Sequence, residues 1–395
     1  MSDPLTSSTN PLVIMLLLND YNGDLRVQKQ AHTLRNQQFQ VRILATHSDK
    51  RLKGFENHRN GTTITRYSVS SIPFVKYFIF WMIAFFKILS QNPAVIVAHD
   101  LHTLPAGVLI KIFKKKVRLV YDTHEFFPGM VGEELGGVFY WIFVWLEKWL
   151  INKADYITTD SFTRMLYLKD LYTITKPITF LFNAPFAKIR HYRKKNISKK
   201  ENQFIVINSG RVVAKTRGFE LLPDIANHIK ENMKEDDPEI KIIVLGDGPF
   251  RAQAEQLVEN RKVGDVVEFW GHFPYAEAMA ISKNGDLGLI YFQPFSDNPQ
   301  YAGPIRLFDY MGNGLPILAT DLVELRRVIQ KEDIGWILPP GDPNKIGAFI
   351  LDLARKPRKL AAKKRRVEQV FPEKYTWEVM EVKIRRIYHF LLKQW

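Results

Sequence analysis

Short apolar runs typical of buried strands alternate with amphipathic runs along almost the whole chain. Between the first two of these runs, Val27, Ala31 and Leu34 recur at the spacing of a helix face. The strand-like runs are LVIMLLLN, QVRILAT, AVIVAHD, RLVYDTH, DYITTD and ITFLFNAP in the first half, and FIVINSG, KIIVLGDG, VVEFWGH, LGLIYFQP, LPILATD and GWILPPG in the second. Apolar strands that alternate with helices are typical of parallel sheets covered on both faces. Two successive sets predict an α/β protein with two doubly wound, Rossmann-like domains that face each other across a cleft.

A polar, strongly basic stretch without apolar periodicity, FAKIRHYRKKNISKKENQ, separates the two sets. We therefore predict a first domain over residues 1–190, a basic linker over 191–203 and a second domain over 204–372. Residues 373–395 carry apolar side chains at helical spacing, which predicts a terminal helix that packs back toward the first domain. Ligands of such sheets bind beyond the carboxyl ends of the strands, so the cleft is the expected site.

Composition narrows the possible partners and chemistry. The 395 residues include no cysteine, which excludes a disulfide scaffold, a zinc ribbon and a cysteine nucleophile. The net charge of +15 favours anionic partners. The N-terminus lacks the basic start and cleavage site of a secretory signal, so we expect a cytoplasmic protein. The longest apolar stretch, Ile72–Leu89, contains Lys76 and Lys87, which favours a buried or membrane-surface helix over a spanning one.

The segment GPIRLFDYM in the second half has the features of an anion site. Gly303 permits a close backbone approach, Pro304 suits the first turn of a helix, and the helix is expected to start at Ile305. The free N–H groups of such a helix start attract an anion, and Arg306 adds charge. Asp309 follows one turn later, where its carboxylate could accept two hydroxyls of a ribose. An ordinary strand, loop and helix would show the same pattern.

A second basic loop follows the strand FIVINSG. Arg211, Lys215 and Arg217 crowd this loop before the next helix. Three cations at the carboxyl end of a strand suit a diphosphate, whereas a solvated basic loop is the simpler alternative.

The loops of the first half carry histidines and carboxylates. The turn at Gly23 lacks the GxGxxG pattern of dinucleotide enzymes, so NAD binding is not expected. His99 and Asp100 end one strand, and His124 and Glu125 end the next. Such groups could bind sugar hydroxyls, exchange protons or simply hold the loops together. No helical pair of histidines supports a metal site, and we predict none.

Several motifs occur together in an order that resembles glycosyltransferase family 4. They are AHDLHTLP, LVYDTHE, LEKWLINKADYITTDS, FLFNAP, GRVVAKTRG, VLGDGP and GPIRLFDYMGNGLPILATD. This family consists of retaining nucleotide-sugar glycosyltransferases of group 1 with the two-domain GT-B fold, and the resemblance covers nearly the whole chain.

The resemblance implies roles for residues of the second domain. Arg211 matches the phosphate-binding arginine of the family, and Arg217 stands where the family usually has lysine. Gly246 lies in the donor-binding motif VLGDGP. Asp309 falls on the second glutamate of the E-x7-E motif that holds the donor ribose, and Tyr301 stands in place of the first. Lys215 and the start of the GPIRLFDYM helix are expected to add donor contacts.

The resemblance also implies a reaction. His99 matches a residue that touches the transferred sugar, and Gly23 lies where a glycine loop approaches the donor phosphate. The expected activity is transfer of a hexose from a nucleoside diphosphate to a glycan or lipid-linked acceptor in the synthesis of cell-surface polysaccharide or glycolipid. The anomeric configuration is retained, and neither a metal nor a cofactor beyond the nucleotide sugar is expected.

The sequence leaves three alternatives open. A non-hydrolysing nucleotide-sugar 2-epimerase shares the architecture and the donor. A catalytically silent nucleotide-sugar-binding subunit would account for Tyr301. A nucleic-acid binder is prompted by the basic runs KKKVR, RKKNISKK and KKRR, but no recognised nucleic-acid module accompanies them, and we expect no nucleic-acid partner.

Two aromatic segments of the first domain predict peripheral attachment at the inner face of a membrane. Aromatic residues beside lysines suit a helix in a lipid interface, and the basic clusters 114–118 and 190–195 would attract anionic lipid. Core helices that cover the first sheet are the alternative. The aromatic residues are Tyr77, Phe78, Phe80, Trp81, Phe85 and Phe86 in one segment, and Phe139, Tyr140, Trp141, Phe143, Trp145 and Trp149 in the other.

Overall fold

A computed structural model describes residues 10–47, 51–58, 61–70, 72–191, 199–293 and 297–393. These residues form two compact units. The first comprises the chain up to Asn183 together with the residues from Met380 onward, and the second is Ala184–Val379. Most of the predicted linker, including the basic cluster after residue 191, lies outside the described residues.

The described part of the first unit contains a sheet with the strand order β3-β4-β2-β1-β5-β6-β7-β8. Neighbouring strands are parallel except for the β3–β4 pair. The strands are β1 (Leu12–Leu16), β2 (Gln40–His47), β3 (Phe55–Asn57), β4 (Thr63–Ser68), β5 (Val95–His99), β6 (Arg118–Thr123), β7 (Tyr156–Thr159) and β8 (Ile178–Phe180). The helices are α1 (Leu25–Asn36), α2 (Pro73–Leu89), α3 (Leu104–Phe113), α4 (Phe127–Leu135), α5 (Gly137–Ile151) and α6 (Phe162–Tyr172).

The second unit contains an all-parallel sheet over its described residues, with the order β11-β10-β9-β12-β13-β14. The strands are β9 (Gln203–Ser209), β10 (Glu239–Leu245), β11 (Val267–Gly271), β12 (Leu287–Ile290), β13 (Ile317–Thr320) and β14 (Gly335–Leu338). The helices are α7 (Leu222–Asn232), α8 (Arg251–Asn260), α9 (Tyr275–Ser282), α10 (Asp297–Gln300), α11 (Ile305–Gly312), α12 (Val323–Glu332), α13 (Pro343–Ala354) and α14 (Pro357–Lys374). A last helix, α15 (Trp377–Lys393), begins in the second unit and continues into the first. Short 3-10 turns cover Ala187–His191, Lys215–Arg217 and Phe219–Leu221.

The structure confirms the predicted class, because each of the predicted apolar runs contains a strand of one of two Rossmann-like sheets. The edge strand β3 and its neighbour β4 are not among the predicted runs. In β4 the inward positions are Ile64 and Arg66, and a buried arginine hides the alternation that marks a strand.

The last helix completes the first unit from Met380 onward. The ammonium of Lys383 lies 3.3 Å from the centre of the Phe180 ring, and the ring of Tyr388 packs at 5.3 Å from that of Phe39. These contacts place α15 against β8 and against the turn between α1 and β2.

Among the described residues, no helix has the combination of length and apolar character needed to cross a membrane. The stretch Ile72–Leu89 forms α2, which covers the first sheet with Phe80, Ala84 and Ile88 and leaves Phe78 and Phe86 exposed. One face of this helix is therefore core, and attachment of the exposed face to a membrane stays a prediction.

Candidate active site

In each sheet, one pair of neighbouring strands is followed by connections that run toward opposite edges of the sheet. In the first sheet this pair is β1 and β5, and in the second it is β9 and β12. The loops that follow such strands separate and form a crevice at the carboxyl edge, which is where open α/β sheets bind ligands. The candidate residues of each unit lie on these loops, on the adjoining loops after β6 and β10, or on α11.

Asp122, at the end of β6, is the centre of a buried network in the first unit. Arg26 of α1 binds its two carboxylate oxygens at 2.6 and 3.2 Å. Gln30 and Thr158 donate to the same carboxylate at 2.7 and 2.6 Å. Burial alone would raise the pKa of Asp122, but Arg26 and His124 hold that pKa well below its usual range. The carboxylate is therefore ionised and saturated with donors.

Two of the predicted histidines join this network. His124 Nε2 lies 2.8 Å from an oxygen of Asp122, and His99 Nδ1 lies 3.2 Å from the same oxygen. Asp100 accepts a hydrogen bond from the His124 backbone N–H at 2.7 Å. Burial lowers the pKa of His124, but Asp100 and Asp122 together raise it to about 9. His124 is therefore a cation at neutral pH, held between two carboxylates.

His99 is the member of this network that could still form a hydrogen bond to a ligand. Its Nε2 atom is buried and has no hydrogen-bond partner among the described residues. Since Asp122 accepts at Nδ1, the other ring nitrogen is free to bind a polar group of a ligand. A buried polar atom without a partner is costly, so its persistence points to a ligand group at this place.

Ligand atoms of His99, Asp122 and His124 lie within 4.8 Å of one another, a spacing that could hold a metal ion. The surroundings do not suit a cation, however. Arg26 already neutralises Asp122, and His124 is protonated. A metal would have to displace both positive charges, so the arrangement fits a hydrogen-bond network better than a metal site.

The other two predicted groups of the first unit are at its surface. Glu125 is exposed, and its backbone N–H points to Asp100 at 3.4 Å. Gly23 lies in the exposed loop after β1, and a Cβ added there would meet no described atom within 4 Å. Arg66 holds this loop through the Asp20 carbonyl and the Asn22 side chain, at 2.9 and 3.0 Å.

Arg306 of α11 is the most unusual charge in the second unit. Its side chain is buried, donates to Asn208 at 3.2 Å and lies 4.9 Å from the centre of the Phe292 ring. Its Nη2 atom is buried without a partner in the described part of the chain. Burial and the neighbouring Arg217 lower the pKa of Arg306 to about 9. The guanidinium remains a cation at neutral pH, and a bound anion would offset the free-energy cost of burying its charge.

A glycine at the end of β9 makes room for two guanidinium groups. Gly210 has a φ of +125°, and a Cβ there would lie 2.5 Å from Arg306 Nη2 and 3.1 Å from Arg217 Nη1. Gly246 is equally constrained, since its Cβ would lie 1.8 Å from the Gly210 carbonyl oxygen. Gly210 therefore leaves the space that the two guanidinium groups occupy, and Gly246 leaves space for the backbone of Gly210.

The other predicted cations lie on the same loop. Arg211 and Lys215 are exposed, and Lys215 donates its backbone N–H to Glu220 at 2.9 Å. The structure thus brings Arg217 and Arg306 together. Arg211 and Lys215 precede Arg217 in the same loop and lie at the surface.

Helix α11 begins at Ile305, as predicted, and Gly303 is buried just before it. Pro304 is the N-cap residue in an extended conformation and does not lie in the first helical turn, which corrects the sequence-based placement. Asp309 is buried one turn into the helix and accepts a hydrogen bond from the Tyr275 hydroxyl at 2.6 Å. Tyr301 lies in a turn before the helix.

Sequence reasoning missed five residues that complete the two sites: Arg26, Asp122, Asn208, Tyr275 and Phe292. Asp122 could have been found, because it alternates with His124 at the end of one strand and therefore shares its face. The others act across large separations in sequence, such as the 96 residues between Arg26 and Asp122, and no local pattern marks them.

Comparisons with known proteins agree with this architecture. A family model described as glycosyltransferase family 4 matches residues 26–184, and one described as glycosyl transferases group 1 matches residues 190–369. Together the two models cover both Rossmann-like units. The chain belongs to the group 1 glycosyltransferases of the family 4 type.

Curated relatives match over part of their length. A phosphatidyl-myo-inositol mannosyltransferase of Mycobacterium leprae is 28% identical over 188 residues, which are 46% of each chain. The amylovoran biosynthesis glycosyltransferase AmsK of Erwinia amylovora is 24% identical over 112 residues, which are 28% of each chain. The chain thus spans less than half the length of both relatives.

Solved structures match over the whole chain at low identity and bear on the fold alone. Sucrose-phosphate synthase from Thermosynechococcus elongatus superimposes with a TM-score of 0.81 at 15% identity, covering 97% of this chain and 100% of that one. HepE of Anabaena in complex with UDP and glucose gives a TM-score of 0.72 at 13% identity, covering 96% and 100%. The fold is that of the GT-B glycosyltransferases, as predicted.

Proposed function

We propose that this chain is a retaining, metal-independent hexosyltransferase that uses a nucleoside diphosphate sugar as donor and a glycan or lipid-linked molecule as acceptor. The observation that carries the proposal is Arg306, a buried cation whose Nη2 has no partner among the described residues, beside Arg217 at the switch point of the second sheet. A pair of guanidinium groups in this position suits a diphosphate.

The donor is held by the second unit in this proposal. Arg306 and Arg217 bind the diphosphate oxygens, and Arg211 and Lys215 close over them from the exposed part of the loop. Asp309 binds the ribose hydroxyls, and the Tyr275 hydroxyl keeps its carboxylate oriented. The start of α11 adds backbone N–H groups that attract negative charge.

The transfer step needs no protein nucleophile. The bond between the anomeric carbon and the diphosphate oxygen breaks, and the acceptor oxygen forms its bond on the same face of the sugar. The acceptor proton passes to the departing diphosphate oxygen. The largest charge develops on that leaving group, so the fixed cations of the second unit lower the barrier by electrostatic stabilisation.

The first unit provides hydroxyl recognition. With its proton on Nδ1 toward Asp122, His99 accepts a hydroxyl hydrogen bond at Nε2. His124 and Asp100 fix the loop that carries this group, and the exposed Glu125 and the open space at Gly23 leave room for a sugar or acceptor.

The names of relatives and structural neighbours support the class of product. Amylovoran biosynthesis points to a polysaccharide and phosphatidyl-myo-inositol to a glycolipid, and the HepE complex contains UDP with glucose. We propose a role in cell-surface polysaccharide or glycolipid synthesis in the cytoplasm, with no cofactor besides the nucleotide sugar.

A catalytically silent nucleotide-sugar-binding subunit is the second candidate, and Tyr301 favours it. A tyrosine cannot provide the carboxylate that the first position of the E-x7-E motif supplies in the family.

The test is a screen of UDP, GDP, ADP and dTDP sugars for binding by calorimetry and for slow release of the free nucleotide, with and without EDTA. We expect one nucleotide series to bind and to be hydrolysed equally well in EDTA. Binding without hydrolysis or transfer would support the silent subunit, epimerised donor without acceptor would support the 2-epimerase, and no binding to any member would overturn the donor site.

A further inference from the structure

Helix α5 buries a glutamate together with the apolar side chains of Val144, Leu150 and Ile151, and it exposes large apolar side chains on its other face. Its glutamate, Glu147, is completely buried and accepts hydrogen bonds from the hydroxyls of Tyr121 and Tyr172. Its tryptophans point the other way: Trp141 is 65% exposed and Trp145 is 67% exposed. The buried carboxylate fixes the rotation of the helix, so this exposure is built into the fold.

The exposed residues form a continuous stripe along the helix. They recur at i, i+3, i+4, i+7 and i+11, so they share one face over about 17 Å. We call this stripe the α5 ridge; it comprises Val138, Trp141, Ile142, Trp145 and Trp149. A stripe of this size on a solvent face marks an interaction surface, because monomeric proteins rarely expose contiguous large apolar groups.

The end of the neighbouring helix α3 extends this surface. Ile112 and Phe113 are 61% and 64% exposed, and the chain continues with three lysines, Lys114 to Lys116. Lys111 of α3 donates to the Lys153 carbonyl at 2.9 Å, which joins the end of α3 to the end of α5. The apolar pair and the basic cluster therefore lie beside the C-terminal end of the ridge.

The charges around this surface identify its partner. The ammonium of Lys153 lies 5.7 Å from the centre of the Trp149 ring, and Lys148 follows Glu147 on α5. The acidic residue of α5 itself faces inward, and the exposed Glu134 precedes the opposite end of the helix. Tryptophans flanked by lysines suit the boundary between lipid headgroups and acyl chains, where the indole is half buried and the ammonium meets anionic lipid.

We propose that the α5 ridge lies flat in the interface of an anionic lipid bilayer, with Ile112, Phe113 and the Lys114–Lys116 cluster beside it. The inference deepens the proposed function, since a membrane-docked first unit would meet a lipid-linked acceptor at the surface that carries it. A second copy of the chain is the competing occupant, and the experiment below separates the two.

The experiment is flotation of the full chain with vesicles of phosphatidylcholine alone or with a large fraction of phosphatidylglycerol, at low and high salt. We expect binding to the anionic vesicles at low salt and quenching of tryptophan fluorescence by brominated lipid. The double variant Trp141→Ser, Trp145→Ser should bind at least about tenfold more weakly. The control Phe55→Ser removes a side chain that is 59% exposed on β3 of the same unit and should bind as wild type does.

A charge variant, Lys115→Glu with Lys116→Glu, should lose affinity for anionic vesicles and reduce the salt dependence. Equal binding by wild type and the tryptophan double variant would overturn the proposal, as would a lipid-free dimer that the tryptophan substitutions dissociate. Donor binding and nucleotide release, measured without vesicles, should be the same in the ridge variants and wild type. Absence of donor binding in all of them would contradict the proposed function and leave the vesicle result standing.

Discussion

Two buried arginines, one in each unit, differ in how their charge is compensated. Arg26 in the first unit is paired with Asp122 through two hydrogen bonds, and it also donates to the backbone carbonyls of Leu181 and Thr159. Arg306 in the second unit has Asn208 and the face of Phe292, and its Nη2 has no partner in the described part of the chain. The charge of Arg26 is therefore balanced by Asp122, whereas the site around Arg306 carries a net positive charge.

We therefore expect Arg26 to stabilise the fold and Arg306 to bind a ligand. Removing one member of a buried ion pair leaves the other charge uncompensated, which is strongly destabilising. Removing a buried cation that has no counter-charge eliminates a desolvation cost, so stability is kept or gained while anion binding is lost. A diphosphate carries the charge that the second site lacks, whereas the hydroxyls of a sugar or acceptor suit the first.

The strongest test is the same substitution at both arginines. Arg26→Met should destabilise the first unit by about 3–5 kcal/mol, because Asp122 loses its main counter-charge. Arg306→Met should leave the unfolding temperature unchanged or higher and should weaken binding of a nucleoside diphosphate by about tenfold or more. Calorimetric unfolding of the full chain measures the first effect, and titration with nucleotide measures the second. Arg358→Met, at an exposed position, is the control that should change neither.

A second test uses the pH dependence of the first unit. His124 has its pKa raised from the usual 6.5 to about 9, so its stabilising charge is complete below about pH 6.5 and is lost as the pH rises through 9. His124→Gln should remove a contribution on the order of 3 kcal/mol and flatten the loss of stability between pH 6.5 and 9. A variant that keeps the wild-type slope in this window would show that His124 is not the titrating cation.

Glu147 gives a control in a lower pH window. Burial raises its pKa to about 7 despite the hydrogen bonds from Tyr121 and Tyr172. An acid with a raised pKa loses stability as the pH rises from about 4.5 to 7, so Glu147→Gln should flatten the profile there and leave the window above pH 7 as in wild type.

A third test concerns two cations of the loop that follows β9 in the second unit. Arg211→Ala and Arg217→Ala should each weaken donor binding or turnover by on the order of 1.5–3 kcal/mol, because each removes a charge-assisted contact to the diphosphate. Neither should lower the unfolding temperature appreciably. Nearly unchanged donor affinity and rate in both variants would contradict the assignment of this loop to the diphosphate.

The smallest expected effect is at the ribose contact. Asp309→Asn should weaken a nucleoside diphosphate by about 1 kcal/mol or more with thermal stability roughly intact, and Asp309→Glu should keep binding because it restores the residue of the family. Tyr275→Phe should give a smaller loss in the same titration, since the carboxylate remains but loses its orienting donor. Wild-type binding by Asp309→Asn would place the ribose elsewhere.

Local patterns of residues are sufficient to predict the class of fold and the sheet edges at which the sites lie. Strand-like runs such as AVIVAHD and KIIVLGDG became β5 and β10, and their last residues mark the carboxyl edge of each sheet. These features are local: apolar periodicity sets strand or helix, and the residue after a parallel strand must lie at the ligand-binding edge. The family motifs then indicated His99, Arg211 and Asp309 as candidates.

Which charged groups come into contact depends on how distant elements pack together. The pairing of Arg26 with Asp122, the approach of Arg217 to Arg306 around Gly210 and the contact of Tyr275 with Asp309 all join elements far apart in sequence. The same holds for α5, whose composition allowed a core helix or a surface helix until the contact of Glu147 with Tyr172 fixed its rotation. The rotation of a helix and the pairing of buried charges depend on the surfaces packed against them, and a linear pattern does not contain those surfaces.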